Sequence, residues 1–233
     1  MLTWIQSLTG AVVRRWLALR YRVLSRRYGR LVLEEIDGVP LIVLPDVFNP
    51  VLLRTGEFMA GVLLKMPLPA NGAEGPLSVL DLGTGSGVGA IFAARRGAQV
   101  TAVDINPEAV RCARLNALLN RLEDRICVHQ GDLFGPVAGQ QFDLILFNPP
   151  FHRGQPRTNL DHAWRGSDVF ERFVAGLGGV LKTDGQALIV LSSDGDGEEM
   201  MDMLWAGGYQ VRTVAQKNLI NEILTAYAVS ARK

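Results

Sequence analysis

The stretch Leu77–Ala90, LSVLDLGTGSGVGA, decides how the rest of the chain is read. Its first six residues form an apolar run of strand length, and four glycines then fall at positions 83, 85, 87 and 89. Gly83, Gly85 and Gly87 let the backbone turn tightly and let a ligand approach with no Cβ atoms between. A helical stretch over 87–96 opens directly behind them, so the free N–H groups of its first turn face the same space. Strand, glycine loop and helix together form the opening unit of a nucleotide-binding α/β sheet. The loop alone does not name the ligand, because GSGVGA (85–90) also satisfies the dinucleotide pattern G-x-G-x-x-A and keeps NAD in play.

Downstream, apolar strands at 98–104, 125–130, 142–147 and 186–192 alternate with helical stretches at 107–121, 166–182 and 197–206. That alternation predicts a parallel sheet covered on both faces. The chain closes with GYQVRTVAQ and EILTAYAVS, two alternating runs that predict an antiparallel hairpin on the sheet edge. Upstream lie a helix over 51–65, a Pro/Gly-rich loop over 66–76, and LVLEEIDGVPLIVL, a hairpin turning at Asp37-Gly38. Residues 11–28 read as an amphipathic helix, with Val13, Leu17, Tyr21, Leu24 and Tyr28 on one stripe opposite Arg15, Arg22, Arg26 and Arg30. The expected organisation is an extension over residues 1–45 followed by one domain over 46–233.

Composition bounds the function. The 233 residues are 48% hydrophobic, enough for a sizeable core. No apolar run reaches the roughly 18 residues that span a bilayer, and the first residues lack the order of a signal peptide, so a cytoplasmic location is expected. The two cysteines, Cys112 and Cys127, show no CxxC spacing and read as reduced core residues, and three scattered histidines offer no metal site. Residues 1–30 carry seven arginines and no acid, leaving 17 basic against 23 acidic residues in the remainder. The basic helix within 11–30 is therefore either a packed helix with a solvated arginine face or a contact for RNA, an acidic partner or anionic lipid.

The strand ends carry the chemistry. Asp104, closing the second strand of the alternation, places a carboxylate where it accepts both hydroxyls of an adenosine ribose. Asp132, in GDLF after the third, is placed to accept from an adenine amine, with Ile105 and Leu133 clasping the purine. Asp81 leads the glycine loop, and an acid there suits S-adenosylmethionine, whose tail is a charged amino acid, better than a pyrophosphate. The fourth strand delivers Asn148-Pro149-Pro150-Phe151 to the same edge. A nitrogen conjugated with a carbonyl or an aromatic ring is a poor nucleophile. If the Asn148 side-chain oxygen and the Pro149 carbonyl each accept one of its N–H groups, its lone pair is turned toward a methyl donor. The prolines fix φ and offer no competing N–H, and Phe151 offers a flat face for stacking. The acceptor becomes acidic only after methylation, so no general base is needed beforehand.

DLGTGSG, VDIN, GDLF and FNPPF together resemble the small-domain, HemK-like N-methyltransferases of the S-adenosylmethionine-dependent Rossmann-like superfamily, over about residues 45–230. The resemblance implies a class I fold: a seven-stranded, mostly parallel α/β sheet ending in an antiparallel hairpin. It also implies that Asp81, Gly83, Thr84, Gly85, Gly87, Asp104, Ile105, Asn106, Asp132, Leu133 and Asn148 contact the cofactor, while Asn148 to Phe151 hold the acceptor. The segment before the loop, VFNPVLLRTGEF, adds Thr55 and Glu57. The implied acceptor is a macromolecule: first a protein glutamine, as in a release factor, and otherwise an exocyclic amine of a base in RNA or DNA. NPPFHRG is similar to ribosomal-RNA guanine methyltransferases, whereas AWRGSDVFERF followed by LKTDGQALIVLSS is similar to compact HemK-like enzymes that pair with a small partner. Trp164 and Arg165 read as pocket rim or packing, and His152 as a contact to an acceptor base or a solvated loop residue. Two other classes stay open, an NAD-dependent oxidoreductase and a non-catalytic S-adenosylmethionine-binding module.

Overall fold

The structure, a computed structural model, describes residues 30–68, 75–158, 160–220 and 222–232. The amphipathic helix expected over 11–28 lies outside these residues, as do positions 69–74 of the Pro/Gly-rich loop. Among the described residues, no helix is long and apolar enough to cross a membrane.

The seven-stranded sheet is built from β3 (Ser78–Leu82), β4 (Gln99–Asp104), β5 (Ile126–Gln130), β6 (Phe142–Phe147), β9 (Leu181–Ser192), β10 (Tyr209–Leu219) and β11 (Glu222–Ala231). Its spatial order is β10-β11-β9-β6-β3-β4-β5. β5, β4, β3, β6 and β9 run parallel, and β11 enters antiparallel beside β9 with β10 antiparallel to it at the edge. From β3 the chain winds outward through β4 to β5, then crosses back to β6 on β3's other side. The order therefore reverses between β3 and β6, and a crevice opens beyond their carboxyl ends.

The strands read as continuous apolar runs because both faces are buried. Alternate residues Val79, Leu144, Leu146 and Leu188 join a core with Phe58 and Leu63 of α1 (Thr55–Lys65) and Ile91 and Phe92 of α2 (Val88–Arg95). Their neighbours Leu80, Ile145, Phe147 and Ile189 join a second core with Phe170, Phe173 and Leu177 of α4 (Val169–Val180) and Leu204 of α5 (Gly197–Ala206). The remaining helix, α3 (Pro107–Leu119), starts at Asn106, whose side chain caps Glu108 N, with Pro107 in the first turn.

The N-terminal hairpin, β1 (Val32–Ile36) with β2 (Val39–Val43), turns at Asp37-Gly38 as expected. It is tied to the body by Asn116 of α3, which is fully buried. The Asn116 amide accepts from Ile42 N at 2.6 Å and donates to Ile42 O at 2.6 Å, completing the free edge of β2 as a neighbouring strand would. It also donates to Ser86 O at 2.8 Å, so one side chain joins the hairpin to the glycine loop.

Three expectations are corrected. α1 starts at Thr55 rather than near Val51, because Asn49 Oδ1 accepts from Val51 N and Leu52 N and Arg54 adopts a left-handed φ of 62°. β9 begins at Leu181, so the helix expected to run to 182 ends at Val180. Cys127 is exposed on the edge strand β5, beside His129 Nε2 at 3.2 Å, while Cys112 is buried as expected.

Gly87 tests how strictly the loop is specified. Its φ of +84° is left-handed, and a Cβ there would lie 3.1 Å from Ala113 Cα of α3. Strain and overpacking act together, so Gly87→Ala should destabilise the fold by about 2–4 kcal/mol. Urea unfolding should show a lower midpoint at unchanged slope.

Candidate functional site

The loops after β3, β4, β5 and β6 converge on one cavity of about 290 Å³. The glycine loop forms its floor. Gly83 and Gly85 have φ of 62° and 55°, and a Cβ on either would meet nothing closer than 3.9 Å, so a side chain would project into the free space. The loop's turn is closed by Gly87 N donating to Thr84 O at 2.8 Å and hung on β4 by Thr84 N donating to Val103 O at 3.1 Å.

Two buried carboxylates organise this floor. Asp81 Oδ2 accepts from Thr84 Oγ1 at 2.6 Å and from Ala90 N, in the first turn of α2, at 2.9 Å. Burial pushes its carboxyl up to about 6, against the Thr84 and Ala90 donors and with nearby Asp104 adding to the rise. Asp104 Oδ2 accepts from Gly85 N at 2.8 Å and Oδ1 from Asn106 N at 2.9 Å. Burial also raises Asp104, opposed by those N–H groups and by the charge of His162.

At the other end, Asn148 leaves β6 with its amide already oriented. Its Nδ2 donates to Thr55 Oγ1 at 3.0 Å, and Thr55 is fully buried at the start of α1. In this arrangement Nδ2 is turned to Thr55, and Oδ1 is the amide atom left for a ligand. Beyond the prolines the chain folds into a cap over residues 151–168. Two short strands, β7 (His152–Arg153) and β8 (Arg165–Gly166), pair in parallel within it. Phe151, Phe48 and Trp164 pack as a three-ring cluster, with centroids 5.3 to 6.4 Å apart.

Of the residues singled out in the sequence, Asp81, Gly83, Thr84, Gly85, Asp104, Ile105, Asn106, Asp132, Leu133, Asn148 and Pro150 line the cavity together. Thr55, Glu57, Gly87, Pro149 and Phe151 do not. Thr55 holds Asn148 from behind, and Glu57 faces Lys217 of β10 at 3.9 Å. Phe151 lies in the ring cluster, where Phe48 is the ring that reaches the cavity, and the Asn106 side chain is engaged by Asp46 O and Glu108 N. Asp132 accepts a hydrogen bond from Arg172 of α4 at 2.6 Å. Arg165 lines the cavity and Trp164 packs; His152 is exposed. Phe48, His162 and Arg172 also line it and were not singled out as cofactor contacts. No spacing marks them, although an aromatic two residues before Pro50 in the already suspect VFNP segment was a usable signal.

The residues present fit S-adenosylmethionine. The charged side chains lining the cavity are five acids, Asp46, Asp81, Asp104, Asp132 and Asp168, against two arginines, Arg165 and Arg172, an acidic excess that suits a cationic ligand and opposes a pyrophosphate. Ile105 and Leu133 supply apolar walls, and the missing side chains at Gly83 and Gly85 leave the floor clear. Among the described residues no cluster of side chains could hold a metal ion.

Residues 60–220 match the family model described as methyltransferase small domain. A Methanocaldococcus jannaschii protein, provisionally named a protein N5-glutamine methyltransferase, is 32% identical over 191 residues, covering 78% of this chain and 90% of the relative. The ribosomal protein uL3 glutamine methyltransferase of Bradyrhizobium diazoefficiens is 31% identical over 205 residues, and there the chain spans 61% of the relative's length. Among solved structures, the ribosomal protein L11 methylase of Lactobacillus delbrueckii subsp. bulgaricus shares the fold with a TM-score of 0.61 at 23% identity, covering 82% of this chain and 84% of that one.

The buried Asp81 predicts a pH signature. Its folded value of about 6 lies above the ordinary 3.8, so between these values the folded state holds a proton that the unfolded state releases. Its contribution to stability is full below pH about 4 and is lost as pH rises through about 6. Denaturant unfolding from pH 4 to 7 should show this decline in the wild type, and the decline should be smaller in the Asp81→Asn variant, where only Asp104 still contributes to it.

Proposed function

The chain belongs to the methyltransferase small domain family, and from that premise we propose that it methylates the side-chain amide of a glutamine in a protein substrate. The observation that carries the reading is the orientation of Asn148, whose Nδ2 is engaged by Thr55 so that Oδ1 faces an acceptor. Both relatives described above are named glutamine methyltransferases, which supports an amide as the acceptor. The acidic balance of the chain after residue 30 gives little for a phosphate backbone to follow, which supports a protein over a nucleic acid.

In this reading Asp104 holds the ribose, Ile105 and Leu133 clasp the purine, and Asp132 meets the adenine amine. S-adenosylmethionine supplies an electrophilic methyl group on a sulfonium sulfur. The glutamine nitrogen has its lone pair delocalised into the carbonyl, so it must be made nucleophilic. Asn148 Oδ1 and the Pro149 carbonyl accept its two N–H groups and favour a pyramidal nitrogen, whose lone pair is localised and directed at the methyl group. Pro149 and Pro150 carry no N–H to compete for these acceptors and hold φ fixed. The nitrogen sheds its proton once it carries the methyl and a positive charge, so solvent suffices as the final base. Thr55 anchors the Asn148 side chain at the end of β6.

Radiolabelled S-adenosylmethionine incubated with the protein and fractionated cell lysate tests the acceptor. Label should be lost on protease treatment, survive RNase, and be released as methylamine on acid hydrolysis, as an N-methyl amide requires. Loss of label on RNase treatment would overturn the glutamine reading in favour of a base. Asn148→Ala should lower single-turnover transfer by about 100-fold or more. Thr55→Val should lower it by about tenfold, and Thr55→Ser should retain it. In each variant S-adenosylmethionine affinity, read by calorimetry, should change far less than the rate.

A further inference from the structure

We propose that Arg172 is a positioning residue that acts through Asp132 to make the cofactor site selective for an aminopurine. The inference rests on the S-adenosylmethionine reading above and concerns its adenine end, where the Asp132 carboxylate is already engaged. Arg172 Nη2 donates to Asp132 Oδ2 at 2.6 Å, and Arg172 Nη1 lies 3.6 Å from Asp168 Oδ1. All three residues line the same cavity as Ile105 and Leu133.

The placement of this pair is built into the backbone on both sides. Gly131 N donates to Asp104 O at 2.9 Å, which hangs the turn carrying Asp132 on the end of β4. The next residue, Leu133, is held at a left-handed φ of 46°, a conformation that a branched side chain adopts only when its surroundings dictate it. On the helix side, Gly176 sits one turn beyond Arg172, and a Cβ there would fall 2.5 Å from the Phe134 ring. The glycine lets α4 lie directly on that ring, while Phe173 packs on Phe134 at 5.7 Å and on Phe147 at 4.5 Å. The turn and the helix are thereby locked in a register that puts Arg172 over Asp132. Both side chains are partly exposed, 43% and 46%, so the pair adds little to folding and its effect falls on what the carboxylate can do.

An ionised carboxylate offers only acceptors. With its Oδ2 engaged by the Arg172 guanidinium, Asp132 offers Oδ1 to an exocyclic N–H. A purine with an amine at carbon 6 satisfies it, whereas a 6-oxo purine would set a carbonyl oxygen against a carboxylate, and that repulsion supplies the discrimination. Without Arg172, Asp132 and Asp168 would share this cavity with no cation between them, and Asp132 would be free to turn away from the purine.

The experiment is calorimetric binding of S-adenosylhomocysteine and its deaminated counterpart S-inosylhomocysteine to wild type, Arg172→Ala and Arg172→Lys. Wild type should prefer the adenine ligand by at least about tenfold, as one matched against one mismatched charged hydrogen bond gives. Arg172→Ala should bind the adenine ligand about tenfold more weakly, with the inosine ligand unchanged or tighter, so that the preference collapses; Arg172→Lys should restore part of it. Equal weakening of both ligands would reduce Arg172 to a wall of the pocket, and unchanged affinities would reduce the pair to surface decoration; either overturns the inference. A wild type that binds the adenine ligand without preference also overturns it, whereas one that binds neither ligand overturns the cofactor reading instead.

Discussion

A buried carboxylate holds the site together. Asp81 is the fourth residue of β3, and its Oδ2 gathers the Thr84 hydroxyl and the Ala90 N–H, one on each side of the glycine turn. A peptide that leaves a central strand and re-enters a helix within five residues has many ways to close, and this pair of bonds selects one. Gly89 belongs to the same device, since a Cβ there would lie 2.8 Å from the carboxylate. Burial raises the cost of ionising Asp81, so the geometry is kept at some expense in stability, as strained or perturbed groups at binding sites generally are. From the loop the order spreads outward: Gly85 N reaches Asp104, Asn106 reaches Asp46, and Asn116 links Ser86 to the N-terminal hairpin.

The fold was legible in the sequence because its physics is local and periodic. Strands buried on both faces must be apolar throughout, so VLDL and FDLILF announce themselves, and Asp37-Gly38 or Asn106-Pro107 punctuate the elements at the positions seen. Boundaries failed where a tertiary or capping interaction displaced the local signal. Asn49 captures Val51 N and Leu52 N and delays α1, and pairing of Leu181 with Phe142 draws the end of the α4 pattern into β9. Cys127 looked like core because its neighbours are apolar, but β5 is the outermost strand and its alternate side chains meet solvent.

The candidate site was legible by motif and only partly by role. Most residues assigned from the strand-end motifs DLGTGSG, VDIN, GDLF and FNPPF line the crevice, with Gly87, Pro149 and Phe151 the exceptions, because a strand end fixes where its next residue goes. The roles depend on which side chain arrives from elsewhere in the chain, and sequence spacing carries no such information. Thr55 and Phe151 illustrate this. Thr55 is 93 residues from the amide it orients, and Phe151 turns its face to Phe48 and Trp164.

The cap shows why such roles concentrate where regular structure is least. Among the described residues of 151–168 there are one two-residue parallel ladder and a single turn of 3-10 helix, so backbone pairing alone cannot define them. Side chains supply the definition. Arg153 N donates to Asp196, the Arg153 guanidinium pairs with Glu171 and Glu199, and the ring cluster fixes the inner face. These partners come from α4 and α5, the helices that cover the second face of the sheet, while Phe48 comes from the segment before α1. The cap is thereby held from both sides of the crevice. Arg172 of α4 reaches the cofactor end of the cavity, and Arg165 of the cap faces the space beside Pro150 and Gly166. One helix, α4, therefore positions groups at both the cofactor end and the acceptor end. Any shift of α4 would disturb Asp132 and the cap together, so the precision of the site depends on the packing of Phe173 and Gly176 beneath it.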